Sequence, residues 1–164
     1  MSSAVSMKLI DTLTPMANDD SMFNTNVKGL LFTVQKMLPL MPDGASIILS
    51  ASVVASRGMP AGSVYSATKA AVRSFARTWT IDLKDRRIRV NAVSPGAIDT
   101  PGFDDLMASS GGAEERRTMI SKSIPLGRLG TADEIAKAVV FLASDDSSYI
   151  TGTELFVDGG RAQV

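Results

Sequence analysis

The sequence contains neither histidine nor cysteine in its 164 residues. These two absences exclude Ser-His-Asp and Cys-His nucleophile systems, zinc sites built from Cys and His, and disulfide bonds. We therefore predict no metal site. Any acid–base chemistry is left to Asp, Glu, Tyr and Lys side chains, which narrows the search for a catalytic group.

An excess of charge of either sign is also missing, because 17 Lys and Arg residues are balanced by 17 Asp and Glu residues. No basic or acidic block occurs, so nothing indicates binding to nucleic acid or to an anionic membrane. No apolar run reaches about 18 residues, as a membrane-spanning helix needs, and residues 1–13 lack the apolar core of a signal peptide. We expect a cytoplasmic protein of a single domain, with neither nucleic acid nor membrane as a partner.

Apolar residues spaced three and four apart predict amphipathic helices in three parts of the chain. These helices are predicted over residues 15–41, 63–84 and 131–144. Ser63 is a candidate cap for the second helix. Thr131 and Glu134 have the spacing of a capping box at the start of the third.

Short apolar runs between these helices predict strands over residues 46–50, 89–94 and 154–160. The run at 46–50 is unbroken and β-branched, which is typical of a strand buried on both faces of a parallel sheet. Alternation of helices and strands predicts an α/β fold with a parallel sheet.

Tyr65 and Lys69 are four residues apart on the second predicted helix and therefore share one face of it. A tyrosine with a pKa of about 10 is only about one part in a thousand phenolate at neutral pH. An ammonium about 4 Å away would stabilise the phenolate by roughly 4 kcal/mol at an effective dielectric near 20, which brings the phenol pKa to roughly 7. Ser52, on the loop leaving the strand at 46–50, could hold a substrate oxygen beside this phenol.

The Tyr65–Lys69 spacing alone is weak, since a half-exposed tyrosine beside a solvated lysine has the same pattern. A second pattern, Ser66-Ala-Thr-Lys69, matches the S-x-x-K of serine acyl-transfer enzymes related to β-lactamases. Those enzymes also need K-T-G and S-D-N elements, and neither occurs in this sequence.

The complete set of motifs is more specific than either pattern. NTNVKG at 24–29, Ser52, Tyr65 with Lys69, and VNAVSPGAIDTP at 90–101 occur in this order. In this respect the chain resembles the short-chain dehydrogenase/reductase family, from about residue 20 to Gly160. The resemblance implies hydride transfer between NAD or NADP and a ketone or secondary alcohol.

The resemblance also implies a role for each motif residue. Tyr65 would exchange the proton and Ser52 would orient the substrate oxygen, while Lys69 would lower the tyrosine pKa. Asn26, in the N-V-K-G context, would complete a proton relay to Lys69. Tyr65 and Lys69 would also contact the nicotinamide ribose.

The turn after the strand at 89–94 would face the cofactor. By the same resemblance this turn would contain Pro95 and Gly96. The backbone of Ile98 and the hydroxyl of Thr100 would bind the nicotinamide carboxamide. The other interpretation is a turn that ends the strand, with Thr100 as a helix cap. Residues 101–125 would form a substrate lid, although a solvated surface helix fits their composition equally well.

Small residues on the helix at 63–84 allow another helix to approach closely, and in the family this helix packs against a partner subunit. We therefore expect a homo-oligomer formed through the helices at 15–41 and 63–84.

A glycine-rich T-G-x-x-x-G-x-G turn, with the strands that surround it in the family, is missing. The sequence thus predicts a partial Rossmann-like, doubly wound parallel sheet that lacks its first strands, with residues 1–164 as one truncated domain. The edge of the strand at 46–50 would be open, so the chain alone should be dimeric or larger, or marginally stable. An alternative function is that of an inactive truncated relative acting as a binding or assembly subunit.

Overall fold

The computed structural model describes residues 19–108 and 113–164. The predicted helix start at Pro15 and the glycine pair Gly111-Gly112 of the predicted lid lie outside these residues. Within them the strands are β1 (Ser46–Ser50), β2 (Arg89–Pro95), β3 (Ile98–Asp99), β4 (Gly130–Thr131) and β5 (Glu154–Val157). The α-helices are α1 (Asp19–Phe23), α2 (Leu30–Met37), α3 (Ser63–Asp82), α4 (Pro101–Ala108), α5 (Ala113–Lys122) and α6 (Ala132–Ala143).

A parallel sheet with the strand order β1-β2-β5 is the centre of the fold. Leu49 of β1 is opposite Ala92 of β2, and Ala92 is opposite Glu154 of β5. A second, short parallel pair joins β3 to β4. The predicted α/β fold with a parallel sheet is confirmed, and β1 is an edge strand in the part of the chain that the structure describes.

Helix α3 covers one face of this sheet. Its buried residues Val72 and Ala76 belong to the same apolar cluster as Ile47 and Leu49 of β1 and Val90 of β2. Ile47 and Leu49 are two residues apart and therefore face the same side of the sheet, because successive side chains of a strand point to opposite faces. Helix α6 packs against β1 and β2 outside this cluster, with Leu142 fully buried.

The predicted helix over 15–41 is interrupted where the structure describes it. A π-helical segment, Asn24–Gly29, separates α1 from α2, and a 3-10 turn over Leu38–Leu40 contains Pro39 and ends the helical stretch. Apolar periodicity predicts the buried face of such a helix but does not register one extra residue in a single turn.

Two predicted boundaries differ from the structure. Ser63 is not a cap, since the residue before α3 is Gly62 and no side chain caps the helix there. Strand β5 ends at Val157, three residues earlier than predicted. It ends there because Gly159 and Gly160 have φ angles of 64° and 90°, which extended backbone does not adopt.

None of the helices among the described residues is long and apolar enough to cross a membrane. Within residues 19–108 and 113–164 there is also no cluster of three or more Asp or Glu side chains placed to hold a metal ion.

The capping box at the start of α6 is confirmed. The carboxylate of Glu134 accepts from the Thr131 amide at 2.8 Å and from the Arg128 guanidinium at 2.6 Å. These interactions, with the Arg128 bond as the largest cause, lower the pKa of Glu134 from its ordinary 4.5 to about 2.

This pKa shift predicts a pH-dependent contribution to stability. Because the carboxyl pKa is lower in the folded state, ionised Glu134 stabilises the fold above pH 4.5, and the contribution is lost as the pH falls through about 2. In Glu134→Gln the free energy of unfolding, measured with urea at about pH 3 and about pH 7, should therefore change less with pH than in the wild type. Glu115→Gln, at an exposed position of α5, is the control and should keep the wild-type dependence. An unchanged pH dependence in Glu134→Gln would contradict the role given to this carboxylate.

Candidate active site

Tyr65 and Lys69 lie on the first two turns of α3 and face the same side of it. The Lys69 ammonium is 5.7 Å from the centroid of the Tyr65 ring, within the range of a cation–π contact. Both residues are half-buried. The structure thus brings together the two residues that helical spacing had paired.

The Lys69 ammonium is held by the end of strand β1. Its Nζ atom donates a hydrogen bond of 3.0 Å to the carbonyl oxygen of Ser50. Burial lowers the pKa of Lys69, because removal from water disfavours the charged form. The contact also fixes the distance between α3 and the strand from which the Ser52 loop leaves.

Ser52 begins a 3-10 turn, Val53–Ala55, directly after β1. Its hydroxyl accepts a weak hydrogen bond of 3.5 Å from the Val54 amide. The turn packs against α3, and the Ala51 amide bonds the Val93 carbonyl of β2 at 2.8 Å. Ser52 therefore lies at the carboxyl end of the parallel strands, where ligands bind in open α/β sheets.

Asn26 lies in the π-helical segment and reaches α3 through a threonine. Its side-chain amide donates to the Thr68 hydroxyl at 3.1 Å, and that hydroxyl donates to the carbonyl oxygen of Tyr65 at 2.8 Å. Thr68 is fully buried. Asn26 is thus linked, by way of Thr68, to the backbone turn that carries Tyr65. Segments of π-helix are frequent at functional sites because they redirect side chains within a helix.

Thr68 is a site residue that the sequence analysis missed. A threonine inside a helix can bond the carbonyl three or four residues earlier, as Thr68 bonds Tyr65. That local pattern was available in the sequence. The contact with Asn26, 42 residues away, was not, because it depends on how the two helices pack.

The turn after β2 is built around a close approach of two backbones. The Gly96 amide bonds the Val157 carbonyl at 3.0 Å, and a Cβ atom on Gly96 would lie 2.8 Å from the Cα of Asp158. Only glycine fits this position without displacing the backbone. Pro95, the last residue of β2, and Gly96 therefore form a narrow turn at the same end of the sheet as Ser52.

Ile98 and Thr100 continue from this turn into α4. Ile98 belongs to β3 and pairs with Gly130 of β4. The Thr100 hydroxyl accepts a hydrogen bond of 3.3 Å from the Phe103 amide at the start of α4. The predicted capping role of Thr100 therefore fits the structure, and its hydroxyl proton is still available to a ligand.

A cleft of about 500 Å³ lies beside this turn. Its walls include Ala97, Ile98, Pro125, Leu126, Arg128, Gly130, Glu134 and residues 156–160. Of the predicted site residues, only Ile98 lines this cleft. Tyr65 and Lys69 are not among the residues that line this cleft.

The predicted lid contains two helices in its described part, α4 and α5. Arg117 of α5 makes ion pairs with Asp99 at 2.6 Å and Asp104 at 2.8 Å, so α5 is tied to β3 and α4. These carboxylates raise the pKa of Arg117, chiefly through the hydrogen bond with Asp99.

Comparison with known proteins gives consistent matches over most of the chain. The sequence profile of the family described as enoyl-(acyl carrier protein) reductase matches residues 2–162. Oxidoreductase asL5 of Sarocladium schorii is 44% identical over 147 residues, 88% of this chain and 57% of that protein. The 3-oxoacyl-[acyl-carrier-protein] reductase FabG of Thermotoga maritima is 42% identical over 143 residues, 86% of this chain and 56% of that protein.

Solved structures agree with these matches. The structure of levodione reductase has a TM-score of 0.85 and 32% identity, over 91% of this chain and 59% of that one. A short chain dehydrogenase family protein from Francisella tularensis has a TM-score of 0.82 and 29% identity, over 85% of this chain and 60% of that one. The chain thus spans somewhat more than half the length of each of these four proteins.

The bond between Asn26 and Thr68 should be measurable as an energetic coupling. Asn26→Ala and Thr68→Val, singly and together, should give a coupling of about 0.5–1.5 kcal/mol in the free energy of unfolding, because each change removes the same hydrogen bond. Asn24→Ala, at an exposed position of the same π-helical segment, should be additive with Thr68→Val to within about 0.5 kcal/mol. Additivity of the Asn26 and Thr68 changes would show that the bond does not join the two helices energetically.

Proposed function

The chain belongs to the short-chain dehydrogenase/reductase family, and on that premise we propose that it transfers hydride between NAD or NADP and a ketone or secondary alcohol. The observation that carries this proposal is the position of Lys69, between the Ser50 carbonyl and the Tyr65 ring. This position puts a cation beside the phenol that would exchange its proton with the substrate oxygen.

In the proposed reaction Tyr65 gives its proton to the substrate oxygen during reduction and removes it during oxidation. Ser52 donates a hydrogen bond to the same oxygen and so orients the carbonyl. The Ser52 hydroxyl is free to do this, because its observed bond from Val54 uses only its acceptor side. The nicotinamide, when bound, supplies or accepts the hydride.

Asn26 is proposed to support the proton exchange from behind α3. Its bond to Thr68, and the bond from Thr68 to the Tyr65 carbonyl, hold the first turn of α3 in place. We propose that the Asn26 amide also completes a proton relay toward Lys69.

The residues at the carboxyl end of the sheet fit the nicotinamide end of the cofactor. We assign Tyr65 and Lys69 to the ribose, and the turn at Pro95 and Gly96, with Ile98 and Thr100, to the nicotinamide carboxamide. The close approach at Gly96 and the free proton of the Thr100 hydroxyl support this assignment. Either NAD or NADP is compatible with these contacts.

Residues 101–125 are proposed to cover a small carbonyl or alcohol substrate. Helices α4 and α5 follow the cofactor turn directly, and Arg117 ties α5 to Asp99 beside it. We also propose a cytoplasmic location, as expected from the sequence.

Loss of the phenol should abolish most of the activity. Tyr65→Phe should lower kcat for ketone reduction with NADH or NADPH by about 10²–10⁴-fold, the contribution of one general acid. Tyr149→Phe is a matched control, because Tyr149 is fully exposed, and it should retain wild-type kcat. Wild-type kcat in Tyr65→Phe, or no turnover by the unmodified chain with either cofactor over a panel of small ketones, would contradict the proposal.

We also propose a homo-oligomer formed through the helical stretch that contains α1 and α2 (predicted over 15–41) and through α3 (predicted over 63–84). Ala67, Ala70 and Ser74 of α3 are exposed at spacings of three and four residues, as one helix face. Leu31 and Phe32 of α2 are also exposed, at 36% and 55%. Apolar and small residues that meet water on adjacent helices favour burial against a second copy.

This interface can be tested with a charge on the small-residue face. Sedimentation velocity at micromolar concentration should show a dimer or larger oligomer for the wild type. Ala70→Glu should sediment as a smaller species, because a carboxylate cannot be buried there without a partner. Ala136→Glu, at an exposed position of α6, should assemble as the wild type does. A wild-type monomer at this concentration would rule the interface out.

A further inference from the structure

Glu154, the first residue of β5, carries a buried carboxylate with three partners. Its side chain is 6% exposed and forms an ion pair with Arg73. It also accepts hydrogen bonds from the Ser94 hydroxyl at 2.7 Å and from the Ser56 hydroxyl at 2.9 Å. A buried carboxylate is costly unless it is paired and hydrogen-bonded, and both of its oxygens are used here.

Each partner belongs to a segment that carries a residue of the proposed active site. Arg73 lies one helical turn after Lys69 on α3 and therefore on the same side of that helix. Ser94 directly precedes the Pro95 turn at the end of β2. Ser56 closes the 3-10 turn that Ser52 begins.

We propose that Glu154 is a positioning residue, which fixes the Ser52 turn relative to α3 and to the cofactor turn. Its importance for catalysis rests on the function proposed above. Two features make the Ser52 turn dependent on this contact. A turn of 3-10 geometry has poorer hydrogen bonds than an α-helix, and the bond that holds the Ser52 hydroxyl itself is 3.5 Å long.

A further hydrogen bond of this loop lies one residue beyond Ser56. Arg57 donates to the Arg161 carbonyl at 2.6 Å, which holds the far end of the loop near the end of the chain. That bond does not connect the loop to α3 or to β2. Glu154 adds to the packing of the turn on α3 a single side chain that is bonded at once to the Ser52 turn, to α3 and to the end of β2. A buried ion pair is weak support for stability in general, but it fixes geometry because its partners have few alternatives.

The test compares Glu154→Gln with the wild type by amide hydrogen exchange and by kinetics. The amides of Ala55, Ser56 and Arg57 bond within the turn, and their exchange should be at least about tenfold faster in the variant, while exchange in β1 and α6 stays unchanged. The kcat for ketone reduction should fall by about 10- to 100-fold with an unchanged KM for the cofactor, since misplacement of Ser52 affects the reacting oxygen. Asp133→Asn, which breaks an exposed ion pair of 2.7 Å with Lys137, is the matched control and should change neither quantity.

The outcomes separate a positioning role from general stability. Unchanged exchange in the turn, or acceleration spread equally over α6, would overturn the proposal. Glu154→Asp should restore part of the protection and of kcat, because it keeps the charge that pairs with Arg73. If Glu154→Gln does not fold, the double variant Arg73→Gln/Glu154→Gln replaces it, because this variant leaves no unpaired charge. Failure of both variants to fold would also contradict the positioning role.

Parallel measurements on Tyr65→Phe distinguish the two proposals. Wild-type activity in Tyr65→Phe would remove the proposed function, whereas the exchange measurement on the Ser52 turn does not depend on turnover. Loss of activity in Tyr65→Phe together with unaltered exchange and kcat in Glu154→Gln would remove the positioning role alone.

Discussion

The bond from the Lys69 ammonium to the Ser50 carbonyl determines how the site can work. It anchors a cation with a neutral acceptor, so the position of the charge is fixed while its sign is not cancelled. Burial makes the charge less well solvated and lowers the pKa of Lys69. A carboxylate in place of the carbonyl would hold the lysine equally well, but it would neutralise the field that acts on the Tyr65 phenol. The chain contains no histidine, so the proposed function depends on a tyrosine beside a lysine for its acid–base chemistry.

The parallel sheet explains why the other groups gather around this bond. Strands β1 and β2 run side by side, and the Ala51 amide continues their pairing beyond Ser50 by bonding Val93. Beyond these two strands the backbone leaves the sheet at the same end, toward Ser52 after β1 and toward the Pro95 turn after β2. Helix α3 returns across this end, and its first turn is fixed from the opposite side by Asn26 through Thr68. Each segment is thus positioned by a hydrogen bond to a different element.

The parts that local patterns predicted are those that depend on local physics. The i, i+4 spacing placed Tyr65 and Lys69 on one face, and the β-branched run gave β1 at its observed bounds. The capping box at Thr131 was readable because its groups are three residues apart. Most of what could not be read depends on tertiary packing. The β3–β4 pair and the Asn26–Thr68 bond each require two distant segments to meet. Glu154 was missed for the same reason, since its hydrogen-bonding serines are 60 and 98 residues away. The π-helical segment is local, but its one extra residue is not marked by the apolar spacing.

Two ions lie near the end of the sheet, a half-buried lysine and a buried glutamate, and they differ in how they are compensated. Lys69 has a neutral carbonyl partner, which leaves its positive field directed at Tyr65. Glu154 has an arginine and two hydroxyls, which neutralise its charge and saturate its oxygens. A neutralised ion exerts little field at a distance, so the role proposed for Glu154 is geometric, whereas the role proposed for Lys69 is electrostatic. On these proposals a change at the lysine acts through its charge, while a change at the glutamate acts on the distance between Ser52 and the phenol. The two proposed roles differ because the partners differ: Lys69 has a neutral carbonyl, and Glu154 has a cation and two hydroxyls.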